Sequence, residues 1–415
     1  MPEVPPYRIS DSRLKLAGEY FLGGRLAAAH AVARALWHEG ERTPALAVLY
    51  GELLLLANRL ESAEPALRLA LEARPGHPRV IGLLAEVARR AGRLGEAAER
   101  FAMLGRAAKA ARLSELARTG AYLLPGGSWR AELDWIDRRP SPCVAAQVGE
   151  VALNLLLDTG VGDTLIHADL AERLGVRTFG SEPIQFPSGP AGRVELGILP
   201  ELRLGTLAIG QVPVQVMPLR DTFAHLSDRP VDGMLGTGLF SRFCTTLDYT
   251  RGYLTLARDD DRLERGEPFY LGGEHYPLVE ARINARLDAL LFLDTGMTGA
   301  AFGLPVGLAE IAGVEPLPGT ATVGSGVGSD LAAVSARARS IAAAGTEGYD
   351  LLGMLLGRFR LERQLGFRIA GLLGEGFLDR SIVTLDFRSM RVRVDTGLTP
   401  RASSRDNEDT HPRVL

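Results

Sequence analysis

The strongest constraint on this chain is that its C-terminal two-thirds is written twice. "VALNLLLDTGVGDTLIHADLAERLGV", from Val151, is followed by "VDGMLGTGLFSRFCTTLDYTRGYLTLA", from Val231. "LDALLFLDTGMTGAAFGLPVGLAEIAGV", from Leu287, is followed by "IAGLLGEGFLDRSIVTLDFRSMRVRVD", from Ile369. Asp158 and Asp294 are 136 residues apart, while the pairs Gly236/Gly374 and Asp248/Asp386 are each 138 apart. The duplication is therefore nearly free of gaps, and every landmark in one copy has a partner in the other. From 143 to 397 the texture is short strands separated by turn signals such as "LGTLAIG" and "VGSGVGSD". One stretch per copy reads as helix, "HADLAERLG" and "VGLAEIAG". Two mostly-β lobes of one topology are expected.

Each copy carries Asp-Thr-Gly behind an apolar run. Leu155–Leu157 and Leu290–Leu293 can hold the following loop rigidly from below, and Gly160 and Gly296 permit a tight turn that exposes a carboxylate. Asp-Thr-Gly occurs a third time at 395–397, after the alternating "MRVRV" and before a polar tail. No apolar return strand follows it, so this copy reads as coincidence.

The paired motif resembles the aspartic proteases. In that family two such loops meet across a pseudo-twofold axis, and a segment of two apolar residues and Gly crosses behind each. Here those segments are "GMLG" (233–236) and "GLLG" (371–374). The resemblance covers about 250 residues, with four motifs in the right order. It implies a two-lobed, mostly-β acid-protease (pepsin-like) fold with Asp158 and Asp294 as the catalytic pair. It also implies that the Thr159 and Thr295 hydroxyls bond across to the opposite loop, with Gly160 and Gly296 completing the support.

Two carboxylates about 3 Å apart repel by roughly 5 kcal/mol at an effective dielectric near 20. They then share one proton over a wide pH range, so one can accept a proton from water while the other donates to a scissile carbonyl. No metal or other cofactor is needed. The chain departs from the family at Val161 and Met297, where pepsin-type enzymes often carry Ser or Thr. It also has Gly162 where a small hydroxyl residue is usual, whereas Thr298 keeps one. A mobile hairpin over the cleft is expected at "IQFPSGPAGRV" (184–194) or "TATVGSGVGSD" (320–330). That makes Phe186, Pro187, Ser188, Gly189, Gly324, Ser325 and Gly326 flap candidates, without the pepsin-type tyrosine. His167 reads as a surface residue at a helix start, and Asp163 as a cap for the helix near Ala168. His275 has no charged partner that the sequence names.

Residues 10 to 110 repeat with a step of 34. Pro44 and Pro78 keep it, as do Arg25-Leu26, Arg59-Leu60 and Arg93-Leu94, and the small residues Ala17, Gly51 and Ala85. Small side chains at such places let antiparallel helices approach closely. The pattern resembles the tetratricopeptide repeat, best in the middle copy, with Glu41 and Lys109 standing where the family has Pro. The resemblance implies a concave face for a peptide or protein partner. The alternative is an appendage that only packs on the next domain.

The expected organisation is helical repeats at 1–120, a linker at 121–142, protease lobes at 143–262 and 263–397, and a disordered tail at 398–415. A net charge of −3, with scattered arginines, argues against nucleic-acid binding. The start lacks a signal-peptide layout and no run of eighteen apolar residues occurs, so a cytoplasmic protein without a membrane role is expected. Cys143 and Cys244 have no metal-ligand companions and read as buried free thiols. Both Asp loops lie in one chain, so the expected enzyme is a monomeric aspartic endopeptidase acting on a peptide or protein substrate. The rival expectation is a peptide-binding scaffold on a protease-like frame.

Overall fold

The computed structural model describes residues 12–396 apart from 125, 127–128, 140, 186–190, 224–225, 259–262, 264, 327–328 and 358–360. The chain opens with helices α1 (Ser12–Leu22), α2 (Leu26–His38), α3 (Pro44–Leu56), α4 (Leu60–Ala73), α5 (Pro78–Arg90), α6 (Leu94–Met103) and α7 (Ala107–Thr119). Pro44 and Pro78 each open a helix, where a missing N–H costs nothing and the fixed φ suits the first turn. The second helices of successive pairs begin at Leu26, Leu60 and Leu94, so the sequence step is a structural step. Gly51 shows why small residues recur in the first helices: a Cβ there would lie 2.7 Å from Leu67 Cγ on α4.

Among the described residues twenty strands follow, in two sets of ten. The first set is β1 (Trp129–Asp137), β2 (Cys143–Val148), β3 (Val151–Leu157), β4 (Thr164–His167), β5 (Arg177–Gln185), β6 (Ala191–Leu204), β7 (Leu207–Met217), β8 (Gly233–Leu235), β9 (Cys244–Asp248) and β10 (Tyr253–Arg258). The second is β11 (Glu267–Gly272), β12 (Tyr276–Ile283), β13 (Leu287–Leu293), β14 (Phe302–Pro305), β15 (Glu315–Gly326), β16 (Ser329–Ala343), β17 (Thr346–Leu356), β18 (Gly371–Leu373), β19 (Ser381–Asp386) and β20 (Arg391–Thr396). The sets correspond strand for strand. In the first, β3 runs parallel to β8, pairing Leu156 with Met234. In the second, β13 runs parallel to β18, pairing Phe292 with Leu372.

The lobes join through an antiparallel sheet in the order β1-β10-β9-β19-β20-β11. At its centre Thr246 pairs with Thr384, its counterpart at the 138-residue offset, and their hydroxyls are 3.1 Å apart. The pseudo-twofold axis passes through this pair. Strand β1 falls inside the stretch 121–142, which the sequence reading treats as linker. Its Ala131, Leu133 and Trp135 are buried, and it is the first-lobe counterpart of β11.

The helical array does not stand apart. Leu14, Phe21 and Leu26 share one core with Leu278, Leu290, Phe292, Phe367 and Leu372 of the second lobe. The rings of Phe21 and Phe367 meet edge to face at 5.2 Å. Gly24, at φ +77°, sits so close that a Cβ would strike the Arg368 carbonyl. At the other end α7 lies on β5 and β6, where Arg106 pairs with Glu182 at 2.5 Å. Among the described residues no helix is long and apolar enough to cross a membrane.

Candidate active site

The two Asp-Thr-Gly loops leave the ends of β3 and β13 and meet on the pseudo-twofold axis. Leu157 and Leu293 below them are buried, as the apolar runs require. The Asp158 N–H donates to the Leu235 carbonyl at 3.0 Å and the Asp294 N–H to Leu373 at 2.9 Å, so β8 and β18 anchor each loop at its first residue.

The threonines then lock the loops together. The Thr159 N–H donates to Thr295 Oγ1 at 2.9 Å, and the Thr295 N–H donates to Thr159 Oγ1 at 3.0 Å. Each hydroxyl passes its own proton across the axis, Thr159 to the Leu293 carbonyl at 2.7 Å and Thr295 to Leu157 at 3.0 Å. Both residues are fully buried. A lost partner would therefore strand a dry N–H, which costs about 1–3 kcal/mol.

The carboxylates lie half-buried and within hydrogen-bonding reach of each other. Gly160 N–H donates to Asp158 Oδ1 at 2.6 Å and Gly296 N–H to Asp294 Oδ1 at 3.0 Å. Burial raises the pKa of both acids, and the charge of Asp158 raises Asp294 further. For Asp158 the N–H groups of Gly160 and Gly296 and the Asp294 side chain oppose that rise. The two acids therefore titrate as a coupled pair that resists losing both protons.

Gly160 and Gly296 turn out to be needed for space rather than for a left-handed turn, since neither has a positive φ. A Cβ on Gly160 would lie 2.8 Å from both Asp158 Oδ1 and Asp294 Oδ1, and one on Gly296 would enter the Asp158 carboxyl. Gly236 and Gly374 behave alike: a Cβ at Gly236 would lie 2.6 Å from the Gly162 carbonyl, and one at Gly374 2.5 Å from that of Ala300.

The backs of the loops differ. Thr237 N–H donates to Val161 O and Gly238 N–H to Gly162 O; in the second lobe Glu375 N–H donates to Met297 O and Gly376 N–H to Ala300 O. Gly162 is thus equivalent to Ala300, and Thr298 and Gly299 are two extra residues. The hydroxyl that Thr298 was expected to preserve has no first-lobe counterpart for this reason.

Three other expectations change. His167 is buried, not a surface residue: its Nδ1 accepts from the Leu219 N–H at 2.9 Å. Asp163 caps no helix and pairs with Arg112 of α7 at 2.7 Å. Burial alone would raise the Asp163 pKa, but Arg112, aided by Arg89, brings it below the ordinary value. His275 packs against the first loop, where a Cβ on Gly162 would lie 2.9 Å from its Nδ1. Burial pushes its pKa down to about 4, against the opposing charges of Glu274 and Asp163 and a bond to the Gly160 backbone.

Beside His275, Glu274 takes the Lys109 ammonium at 2.5 Å. Burial would raise Glu274, yet Lys109, Arg89 and Arg106 hold it far below the usual carboxylate range. Sequence reasoning missed this ring of charge because its members come from α5–α7 and both lobes. The one available signal was Lys109 itself, a departure from its repeat pattern.

Asp395 of the third Asp-Thr-Gly ends β20 and takes Arg393 Nε at 2.7 Å, away from the pair. Of the flap candidates, Phe186, Pro187, Ser188 and Gly189 lie outside the described residues. Gly324, Ser325 and Gly326 lie on β15, paired in backbone register with Leu331, Asp330 and Ser329 of β16. Among the described residues no cluster of three or more His, Cys, Asp or Glu is placed to hold a metal ion.

This is an acid-protease frame behind a helical domain. Residues 144–239 match the family described as aspartyl protease. The match runs from β2 into the short helix after Gly236 and so includes the Asp158 loop. Among solved structures, the chain is similar to a retropepsin-like aspartic protease from Rickettsia conorii, with TM-score 0.24, 18% identity, and 33% of this chain and 96% of that one covered. It is also similar to Basic 7S globulin from soybean, with TM-score 0.36, 14% identity, and 66% of this chain and 96% of that one covered. No curated protein matches the chain.

Proposed function

We propose that the chain is a single-chain aspartic endopeptidase in which Asp158 and Asp294 activate a water between them. The observation that supports this most is the pair of carboxylates held within hydrogen-bonding reach by the crossed Thr159–Thr295 bonds. Like charges this close cannot both ionise near neutral pH, so the pair carries one proton. Asp158, ionised, takes a proton from the water as its oxygen attacks the scissile carbonyl carbon. Asp294 gives its proton to the carbonyl oxygen, producing a tetrahedral diol. Proton transfer back to the amide nitrogen then lets the C–N bond break. Val161 and Met297 add no hydroxyl to the pair, which leaves burial as the main influence on its titration.

Both loops come from one chain, so the reading requires only a monomer. The array's part in the proposal is to orient a protein substrate with the faces that the second lobe leaves open. Its inner face has a structural task, as the shared core with Phe292 and Leu372 indicates.

The test is cleavage of casein or a peptide library between pH 3 and 8 by the wild type, Asp158→Asn and Asp294→Asn. Activity confined to the wild type, with a bell-shaped pH profile, supports the reading. Equal behaviour of all three proteins on every substrate ends it.

A further inference from the structure

A cavity of about 370 Å³ lies where the array and both lobes meet, and neither Asp158 nor Asp294 lines it. Its size is within the range of small-molecule sites. One wall is apolar, formed by Leu94 of α6 and Leu113 and Leu116 of α7. The rest of the lining is crowded with guanidinium groups: Arg89, Arg90, Arg112, Arg242, Arg258 and Arg388 all line it. Three carboxylates reach the lining, and each is already engaged. Asp163 holds Arg112, Glu274 holds Lys109, and Asp386 accepts the N–H groups of Arg388 and Ser389.

Arg242 is the group left over. Its guanidinium lies 4.8 Å from the Tyr122 ring centroid, and among the described residues no carboxylate forms an ion pair with it. Beside it, two polar atoms are buried without a hydrogen-bond partner, the Tyr122 hydroxyl and Arg112 Nε. Both residues are more than nine-tenths buried, at 7% and 5% exposure. Buried polar atoms are almost always satisfied, and two orphans beside an unpaired cation are unusual. Tyr122, Arg112 and Arg242 carry N–H or O–H donors, and all three residues line this positively charged, partly apolar space. An oxyanion on an apolar body meets each of those requirements.

We propose that this cavity binds a small organic anion, its apolar body against Leu94, Leu113 and Leu116 and its carboxylate or phosphate oxygens on Arg242 and the Tyr122 hydroxyl. The cavity also touches the back of the first catalytic loop, since Thr237, which lines it, donates its hydroxyl to the Thr159 carbonyl at 3.0 Å. Binding is proposed independently of any peptidase activity.

The experiment is calorimetric titration of the full chain with octanoate, octyl phosphate and inorganic phosphate. The proteins are wild type, Arg242→Gln, Tyr122→Phe and Asp294→Asn, each first shown to melt cooperatively. One of the two octyl probes should saturate, and the better of them identifies the headgroup. Inorganic phosphate should bind at least about tenfold more weakly because it leaves the leucine wall uncovered. Arg242→Gln should weaken binding about tenfold and Tyr122→Phe about threefold, because charged hydrogen bonds are the stronger kind. Asp294→Asn should bind like wild type. Should Tyr122→Phe fail to fold, Arg242→Gln, altered at an exposed side chain, decides alone. The proposal is overturned if no octyl probe saturates by about 10 mM, a limit set by weak-binding energetics. It is overturned equally if Arg242→Gln binds as wild type does, if inorganic phosphate matches the octyl probes, or if Asp294→Asn abolishes binding.

Discussion

The two lobes share one strand order, and their side chains are most alike where the lobes meet and diverge towards the outer faces. At the axis, Thr159 and Thr295 make the same bonds with swapped partners. One turn behind, Thr237 of the first lobe bonds the Thr159 carbonyl, whereas Glu375 of the second reaches forward to the Gly299 N–H at 3.3 Å. On the outer faces the difference widens. The first lobe closes its face with its own Leu219, Phe223 and Leu226 over Leu156 and Met234. The second lobe presents Leu290 and Phe292 to the helical array. In the first copy Asn154 stands where Leu290 does in the second, and its side chain donates to the Pro230 carbonyl. Residues that must meet their own copy cannot change alone. Residues facing outward can, and here the outer apolar face of the second lobe packs on the array while that of the first is covered by its own chain.

The largest effect tests the likeness. Asp158→Asn and Asp294→Asn should each reduce kcat by about 10³–10⁴-fold, the scale of losing a general acid or base. The double variant should be no worse than either single one, because the two acids act as a unit. Rates from a peptide assay at the pH optimum check this, and strictly additive losses would argue for separate roles.

Next comes the unlikeness. Phe292→Ala empties a fully buried site between array and lobe, and a cost of about 3–5 kcal/mol is expected. Asn154→Leu, at the first-lobe place that corresponds to Leu290, should cost under about 1.5 kcal/mol because its side chain makes one exposed hydrogen bond. Chemical denaturation measures both, and comparable losses would mean the array adds little to the second lobe.

The same contrast explains what could be read in the sequence. The paired Asp loops, the crossed threonines and the crossing glycines were legible because the duplication states each of them twice. Strand β1 was hidden by the Pro- and Gly-rich stretch before it, although Ala131, Leu133 and Trp135 already alternate with polar residues. The ring formed by Lys109, Arg112, Asp163, Glu274 and His275 was not legible. It exists only once the array docks, and no local spacing encodes a contact such as that between Arg112 and Asp163. His167 was misread for the same reason, since its partner, the Leu219 N–H, is 52 residues away.

A smaller effect concerns the lock itself. Thr159→Val and Thr295→Val preserve shape but strip the partner from a buried N–H, so each should cost about 2 kcal/mol. Each substitution strands a different N–H, so the double substitution should cost about the sum of the two. Thr159→Val should be no milder than Thr295→Val, since only the first loop has its Thr carbonyl tied back by Thr237. Denaturation midpoints of the three variants decide it.

The smallest effect follows from the raised pKa values of the pair. Burial raises Asp294 well above its ordinary value, so between that value and the folded one the native state binds more protons than the unfolded chain. Stability from this source is complete at low pH and is lost as pH rises through the folded pKa. Asp294→Asn removes the group whose ionisation the folded state opposes. Its melting temperature should exceed that of wild type by about 2 °C at pH 8, and the difference should disappear near pH 4. Melting curves across that range carry the test. A variant less stable at pH 8 would mean that the two carboxylates do not repel each other in the folded protein, and the shared proton would go with them.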